Sequence, residues 1–286
     1  MRNTSVRLFL LFLALSLKVK AQAPSYSDTL SLTQPIQRLI AIGDSLLKGS
    51  TDSMRVQAQD HFALLLDSIL STPAGPLLSF DQVKALSVAR ADNGQLKTLT
   101  WMLSTRQGQD YSYYGYLLLK EEKEKKSGFR VIRLHARNDY KREEIEFLRT
   151  GPDNWIGCIY YAAIHKRYKK KDHYLLLGWS PQSTLTTRKC IEPVQWNTQK
   201  VSLGLPVIKA GGKARSRLVF EYNARVTMSL RYHTGKDMVI MDHLASSDPR
   251  PEATGMYQLY GPDLSYDGLK FSKGQWLLVK DVDVRN

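Results

Sequence analysis

Leu269-Lys-Phe-Ser-Lys-Gly-Gln-Trp-Leu-Leu-Val279 reads as a β-hairpin. Two extended arms, residues 269–271 and 275–279, flank Ser272-Lys273-Gly274. The glycine supplies the positive φ that a tight hairpin turn needs. Upstream, Met238-Val-Ile-Met241 is a short apolar run. Asp248-Pro-Arg-Pro251 breaks it, because proline removes a backbone donor and restricts the residue before it. Residues 256–260 extend again. Gly261-Pro-Asp-Leu-Ser-Tyr-Asp-Gly268 then reads as a turn-rich loop.

Working outward, the same arrangement recurs. Residues 86–91 and 97–104 flank Asp92-Asn-Gly-Gln95, and Asn-Gly is the strongest short hairpin signal. Residues 113–120 and 130–135 flank a charged loop, 121–128. Residues 155–164 and 173–179 flank a second, 165–172, with Lys169 to Lys171 at its tip. Residues 217–222 and 226–232 are expected to form a hairpin around Asn223-Ala-Arg225. Short helices are expected at 139–149 and 184–191. Strands that pair with sequence neighbours through short turns make an antiparallel sheet. The expected fold is mainly β: antiparallel meandering hairpins, as a sandwich or open barrel, preceded by an N-terminal two-helix segment.

In that segment, Pro35 opens a first helix with Thr33 as its cap, and Ile36, Leu39, Ile40, Leu46 and Leu47 recur at helical spacing. Thr51 or Asp52 caps a second helix through Leu70, and Pro73-Ala-Gly-Pro76 ends it. The expected division is a signal peptide at 1–21, a helical hairpin at 22–76 and an antiparallel β-rich domain at 77–286.

The signal-peptide reading rests on Arg2 and Arg7, the ten-residue apolar run Leu8-Phe-Leu-Leu-Phe-Leu-Ala-Leu-Ser-Leu17, and small residues at Val19 and Ala21. The run is too short to span a membrane. Cleavage is expected after Ala21, since cutting after Ala23 would put Pro24 just past the site. The expected location is therefore periplasmic or secreted, with no membrane span after processing. Removing residues 1–21 takes away four cations and no acid, lowering the formal net charge from +14 to +10. A basic exported protein is drawn to anionic envelope surfaces or acidic glycans, and solubility alone explains the charge as well. Nucleic acid is not an expected partner. Export also makes a disulfide between Cys158 and Cys190 chemically possible, with two buried thiols as the alternative.

Asp263-Leu-Ser-Tyr-Asp-Gly268 matches the start of a calcium loop, with oxygen side chains at alternate positions before a glycine. The twelfth position is Gly274 where a bidentate glutamate belongs. Asp281 and Asp283, two apart on a strand, can stand in if the hairpin returns them to the loop. Asp263, Ser265, Asp267, Asp281 and Asp283 are thus the candidate calcium ligands; otherwise the loop is an Asp/Ser/Gly turn bonding its own backbone. No other cofactor is expected. Asp242, His243, Asp248 and Arg250 form a candidate polar cluster in which His243 could serve as a general base. His165 and His173 could face each other across their hairpin, too few to make a zinc site alone. The chain has no G-x-S-x-G, H-E-x-x-H, P-loop or G-x-G-x-x-G motif.

Five segments resemble a group of uncharacterised exported proteins of Bacteroidota: Tyr174-Leu-Leu-Leu-Gly-Trp179; Phe220-Glu-Tyr222 with Met228-Ser-Leu-Arg-Tyr232; Asp242-His-Leu244; Tyr260-Gly-Pro-Asp263 with Ser265-Tyr-Asp-Gly268; and Asp281-Val-Asp-Val-Arg-Asn286. The resemblance implies export, a bacterial envelope setting and a β-rich C-terminal half, and carries over no activity. The expected function is a non-enzymatic binding or scaffold module of the envelope. The alternative is a carboxylate-dependent hydrolase of an envelope polymer.

Overall fold

The computed structural model describes residues 32–123, 126–137 and 139–284. The expected signal peptide and the leader up to residue 31 lie outside the described residues. Two helices come first, α1 (Thr33–Lys48) and α2 (Asp52–Leu70). Thr51 caps α2 as expected, its Oγ1 accepting from Met54 N at 3.2 Å. Thr33 does not cap α1. It is the first helical residue, and Leu32 stands at the cap position with no side-chain bond. Pro35 permits this earlier start, because the first turn of a helix has no N–H bond to lose. Gly43 lets the helices close up: a Cβ there would lie 3.2 Å from the Phe62 ring and 3.1 Å from Ala85 Cβ.

The helices cover one face of a four-stranded antiparallel sheet: β1 (Ser87–Arg90), β2 (Leu96–Thr105), β3 (Asp110–Lys123) and β4 (Lys126–His135), in that order. Leu39, Phe62 and Leu66 from the helices bury against Leu99, Trp101, Tyr116 and Leu118. Polar pins cross this interface. Trp101 Nε1 donates to Gln59 Oε1 at 2.6 Å, and Lys97 Nζ donates to the Pro76 and Leu78 carbonyls at 2.8 and 2.9 Å. The Asn93-Gly94 turn forms as expected, with Gly94 at φ +69°. The charged stretch 121–128 is not a loop. Pairing of β3 with β4 continues to Lys123 and Lys126, and Glu121 and Arg130 form an ion pair at 3.2 Å.

After α3 (Arg142–Ile145), the chain builds a second sheet from β5 (Ile159–Tyr168), β6 (Lys171–Pro181) and β7 (Thr186–Trp196), with β8 (Val201–Leu203) beside β7. β5 and β6 pair antiparallel as expected, and Lys169 and Lys170 form their turn. The helix expected at 184–191 is instead the first half of β7. That strand is paired on both sides, to β6 and to β11 (Leu218–Asn223), and two ladders override a weak local helical preference. The hairpin expected around Asn223 does not form either. β11 closes the second sheet, whereas β12 (Leu230–His233) pairs with β13 (Met238–Ser246) in a third.

The third sheet runs β10 (Lys213–Arg215), β9 (Ile208–Ala210), β15 (Gln275–Val279), β14 (Tyr260–Ser272), β13, β12. The β14–β15 hairpin turns through Lys273 (φ +49°) and Gly274 (φ +83°), as expected. The expected loop 261–268 is a correction: it is the first part of β14. Pairing with β13 draws this Asp/Gly/Pro-containing stretch into a strand, with a bulge between Asp242 and Leu244 opposite it. The β9–β15 contact is parallel, at Trp276 with Ile208.

The result is four layers, helices and three sheets, with no closed barrel. The middle sheet is covered on both faces. Tyr174 and Leu176 of β6 pack toward the first sheet, and Leu175 and Leu177 toward the third. Burial on both faces explains why this strand reads as an unbroken apolar run. Between the first two sheets lies one buried ion pair. Arg217 and Glu192 meet at 2.7 Å with no side-chain exposure. Arg217 also donates to the Leu148 carbonyl at 2.9 Å, Glu192 accepts from Tyr160, and Tyr160 accepts from Trp155 Nε1 at 2.8 Å. Each charge therefore has its hydrogen-bond partners, the condition for tolerating it in a core.

Candidate functional site

The C-terminal carboxylates do not converge into a cation shell. Asp263 Oδ1 accepts from Ser265 N at 3.0 Å and from Ser265 Oγ at 2.7 Å, a local turn-like bond within β14. Ser265 lowers the Asp263 carboxyl below its usual value by these bonds. Asp267 is turned to His243, whose Nδ1 lies 2.9 Å from Asp267 Oδ2. The hairpin does return the chain end, as Val282 N donates to the Tyr266 carbonyl at 2.8 Å. Asp281 and Asp283, on either side of Val282, are both exposed. Among the described residues no group of three or more His, Cys, Asp or Glu side chains is arranged to hold a metal ion.

The second cluster is also divided. Asp242 Oδ2 accepts from Ser229 N at 2.7 Å, tying β13 to the approach to β12. Asp248 and Arg250 pair with each other in an exposed loop, Nη2 to Oδ2 at 2.6 Å. His243, at the bulge, is oriented by Asp267 and by neither of its sequence neighbours. His165 and His173 do not face each other. Across the β5–β6 ladder His165 opposes Tyr174 and Lys166 opposes His173, so the two imidazoles lie on opposite faces. His173 packs on Phe271 of the third sheet, with ring centres 5.1 Å apart.

His165 lies instead in a groove of about 620 Å³. The groove forms where the Asn93-Gly94 turn of the first sheet meets the β5–β6 hairpin and the end of β7. Tyr174 and Trp196 make its floor, ring centres 4.5 Å apart, and His165 extends that floor at 5.2 Å from Tyr174. Asn93 Nδ2 donates to the Tyr174 hydroxyl at 2.9 Å, locking turn to floor. Burial raises the Tyr174 phenol above its ordinary value, so it stays protonated at neutral pH. His165 is clamped, with Nε2 2.8 Å from Asp172 Oδ1 and Nδ1 3.3 Å from Asp92 Oδ1. Gln95, Gln195, Arg167 and Lys171 complete the walls.

Trp196 is shared. On its other side lies a smaller cleft of about 130 Å³, with Arg149, Lys200, Asn197 and Ser202. The two clefts share Gln195 and Trp196 in one composite surface, which carries Arg167 and Lys171 in the larger cleft and Arg149 and Lys200 in the smaller. None of Asp242, His243, Asp248, Arg250, Asp263, Ser265, Asp267, Asp281 or Asp283 lines it. Sequence reading isolates His165 and the charged loop 165–172 but misses Trp196 and Asn93 as site residues. Asn93 carries its own turn signal, and Trp196 ends a stretch whose first half reads as helix. No protein-family model, no curated protein and no solved structure matches this chain.

Proposed function

We propose that this is an exported envelope protein that acts as a non-enzymatic binding module for an acidic glycan. The observation that carries the reading is the pair of clefts that share Trp196, with Arg167 and Lys171 lining one and Arg149 and Lys200 the other. Sugar rings present C–H faces that pack on aromatic faces. Their hydroxyls suit the amides of Asn93, Gln95 and Gln195, and their acidic groups suit those cations. A net positive charge raises the local concentration of such a polymer. The N-terminal apolar run and the resemblance to exported Bacteroidota proteins support the location, periplasmic or secreted.

A carboxylate-dependent hydrolase is the second reading. Asp172, lying against His165 inside the groove, favours it. Both carboxylates near that ring are directed at the imidazole, which leaves the pair poorly disposed to flank a glycosidic bond. Affinity electrophoresis in polygalacturonate and in dextran separates these readings when combined with a reducing-end assay. Retardation by the acidic polymer alone, weakening with salt and without new reducing ends, is the expected result. Equal migration in both gels contradicts a glycan module, and accumulating reducing ends establish the hydrolase.

A further inference from the structure

A second pocket, independent of the Trp196 groove, lies where the ends of the first two sheets meet the link from β11 to β12. It has a volume of about 420 Å³ and no acidic residue on its walls. Trp179, Tyr111 and Tyr222 give it an aromatic lining. Among the described residues, two polar side chains on its wall make no hydrogen bond. Thr187 is 5% exposed, and its Oγ1 is buried without a hydrogen bond. Lys189 sits two residues along β7, hence on the same face. Its Nζ lies 4.4 Å from the centre of the Tyr161 ring. Among the described residues no acceptor bonds that ammonium.

Neither feature is a normal economy of folding. A buried hydroxyl left unpaired costs on the order of 1–3 kcal/mol. An ammonium in partly apolar surroundings usually finds a carboxylate. Burial pushes the Lys189 ammonium below the ordinary lysine value, and no carboxylate offsets that. Every other cation with a comparably enclosed head in this layer has an acceptor: Arg188 bonds Glu221 at 2.7 Å and Arg217 bonds Glu192. Lys189 lines the cavity with no acceptor for its ammonium, whereas the Thr187 hydroxyl beside it is closed off from the cavity.

We propose that this pocket binds a small monocarboxylate with an apolar body, its carboxylate accepting from Lys189 Nζ. The aromatic walls take the apolar body, and the volume falls in the ordinary range for small-ligand pockets. An ammonium only donates, so it matches an anion and disfavours a cation. The absence of acidic lining removes the repulsion that would otherwise oppose it.

The test uses benzoate and hexanoate as probes, with benzyl alcohol as a neutral counterpart. Binding to the full chain is followed by isothermal titration and by intrinsic tryptophan fluorescence, to which Trp179 on the pocket wall contributes. At least one carboxylate is expected to bind saturably, at least tenfold tighter than benzyl alcohol. Lys189→Met keeps the packing and removes the charge, so it folds, and it is expected to lose at least tenfold in carboxylate affinity. Failure of both carboxylates to bind overturns the proposal. So does equal affinity for benzyl alcohol, or undiminished carboxylate binding by Lys189→Met, with native circular dichroism checked for each variant.

Discussion

Glu192 and Arg217 form an ion pair with no side-chain exposure, so each carries a large stake in stability. Both are fully enclosed, and each satisfies the other within a network that includes Tyr160 and Trp155. Removing one partner strands a buried charge. Arg217→Met is expected to cost about 3–5 kcal/mol in urea unfolding, whereas replacing both residues by apolar ones should cost much less. A single-variant loss below about 1 kcal/mol would mean that water reaches the pair. Cys158 and Cys190 make a second residue-scale case. Their sulfurs lie 2.8 Å apart over Gly178, where a Cβ would collide with Cys158 Sγ at 2.1 Å. Burial raises the Cys158 thiol well above its ordinary value, which lowers its thiolate fraction at any given pH. Folded protein is therefore expected to resist iodoacetamide at pH 8, and denatured protein to take up two labels without reductant. Zero labels after denaturation would show the two sulfurs already joined.

At the scale of elements, the β5–β6 turn is the clearest place to intervene. Lys169 and Lys170 hold φ of +48° and +63°, the left-handed region that side chains other than glycine, asparagine and aspartate disfavour. Replacing Lys169-Lys170 by Asn-Gly is expected to stabilise the fold by about 1–2 kcal/mol. That is roughly 2–4 °C in Tm for each kcal/mol, measured by thermal melting. No change would mean that the lysines' own contacts balance the backbone strain. The same comparison explains which elements are legible in sequence. The Asn93-Gly94 and Lys273-Gly274 hairpins announce themselves through turn chemistry, and α2 through Thr51 and its apolar stripe. β7 does not, because Thr184-Leu-Thr-Thr-Arg-Lys-Cys-Ile191 has no clear period and becomes a strand only between two partners. β14 does not, because Pro262, Asp263 and Gly268 signal a turn and only the neighbouring ladder with β13 overrules them. The exit of the chain from β11 into another sheet at β12 is a long-range choice that a local Asn-Ala-Arg signal cannot carry.

At the scale of the whole molecule, stacking three sheets under a helical pair creates junctions that no single element contains. The Trp196 groove draws Asn93 from the first sheet and His165, Tyr174 and Trp196 from the second. This is why sequence reading finds individual members of the groove and not their assembly, and why it favours instead the carboxylates that lie close in sequence near the C-terminus. Those carboxylates are dispersed onto Ser229, His243, Arg250 and Ser265. Export is a separate claim at this scale. N-terminal sequencing of the processed protein is expected to begin near Gln22, and an intact Met1 in the membrane fraction would contradict it.

The central claim, that the groove over Trp196 is a glycan-binding surface, is tested most directly by titrating oligogalacturonate into the wild-type protein and Trp196→Ala. The account predicts that removing the ring lowers affinity by about 30-fold or more, the mark of a binding hot spot of at least about 2 kcal/mol, with Tm little changed. Equal affinity in the two proteins would contradict it.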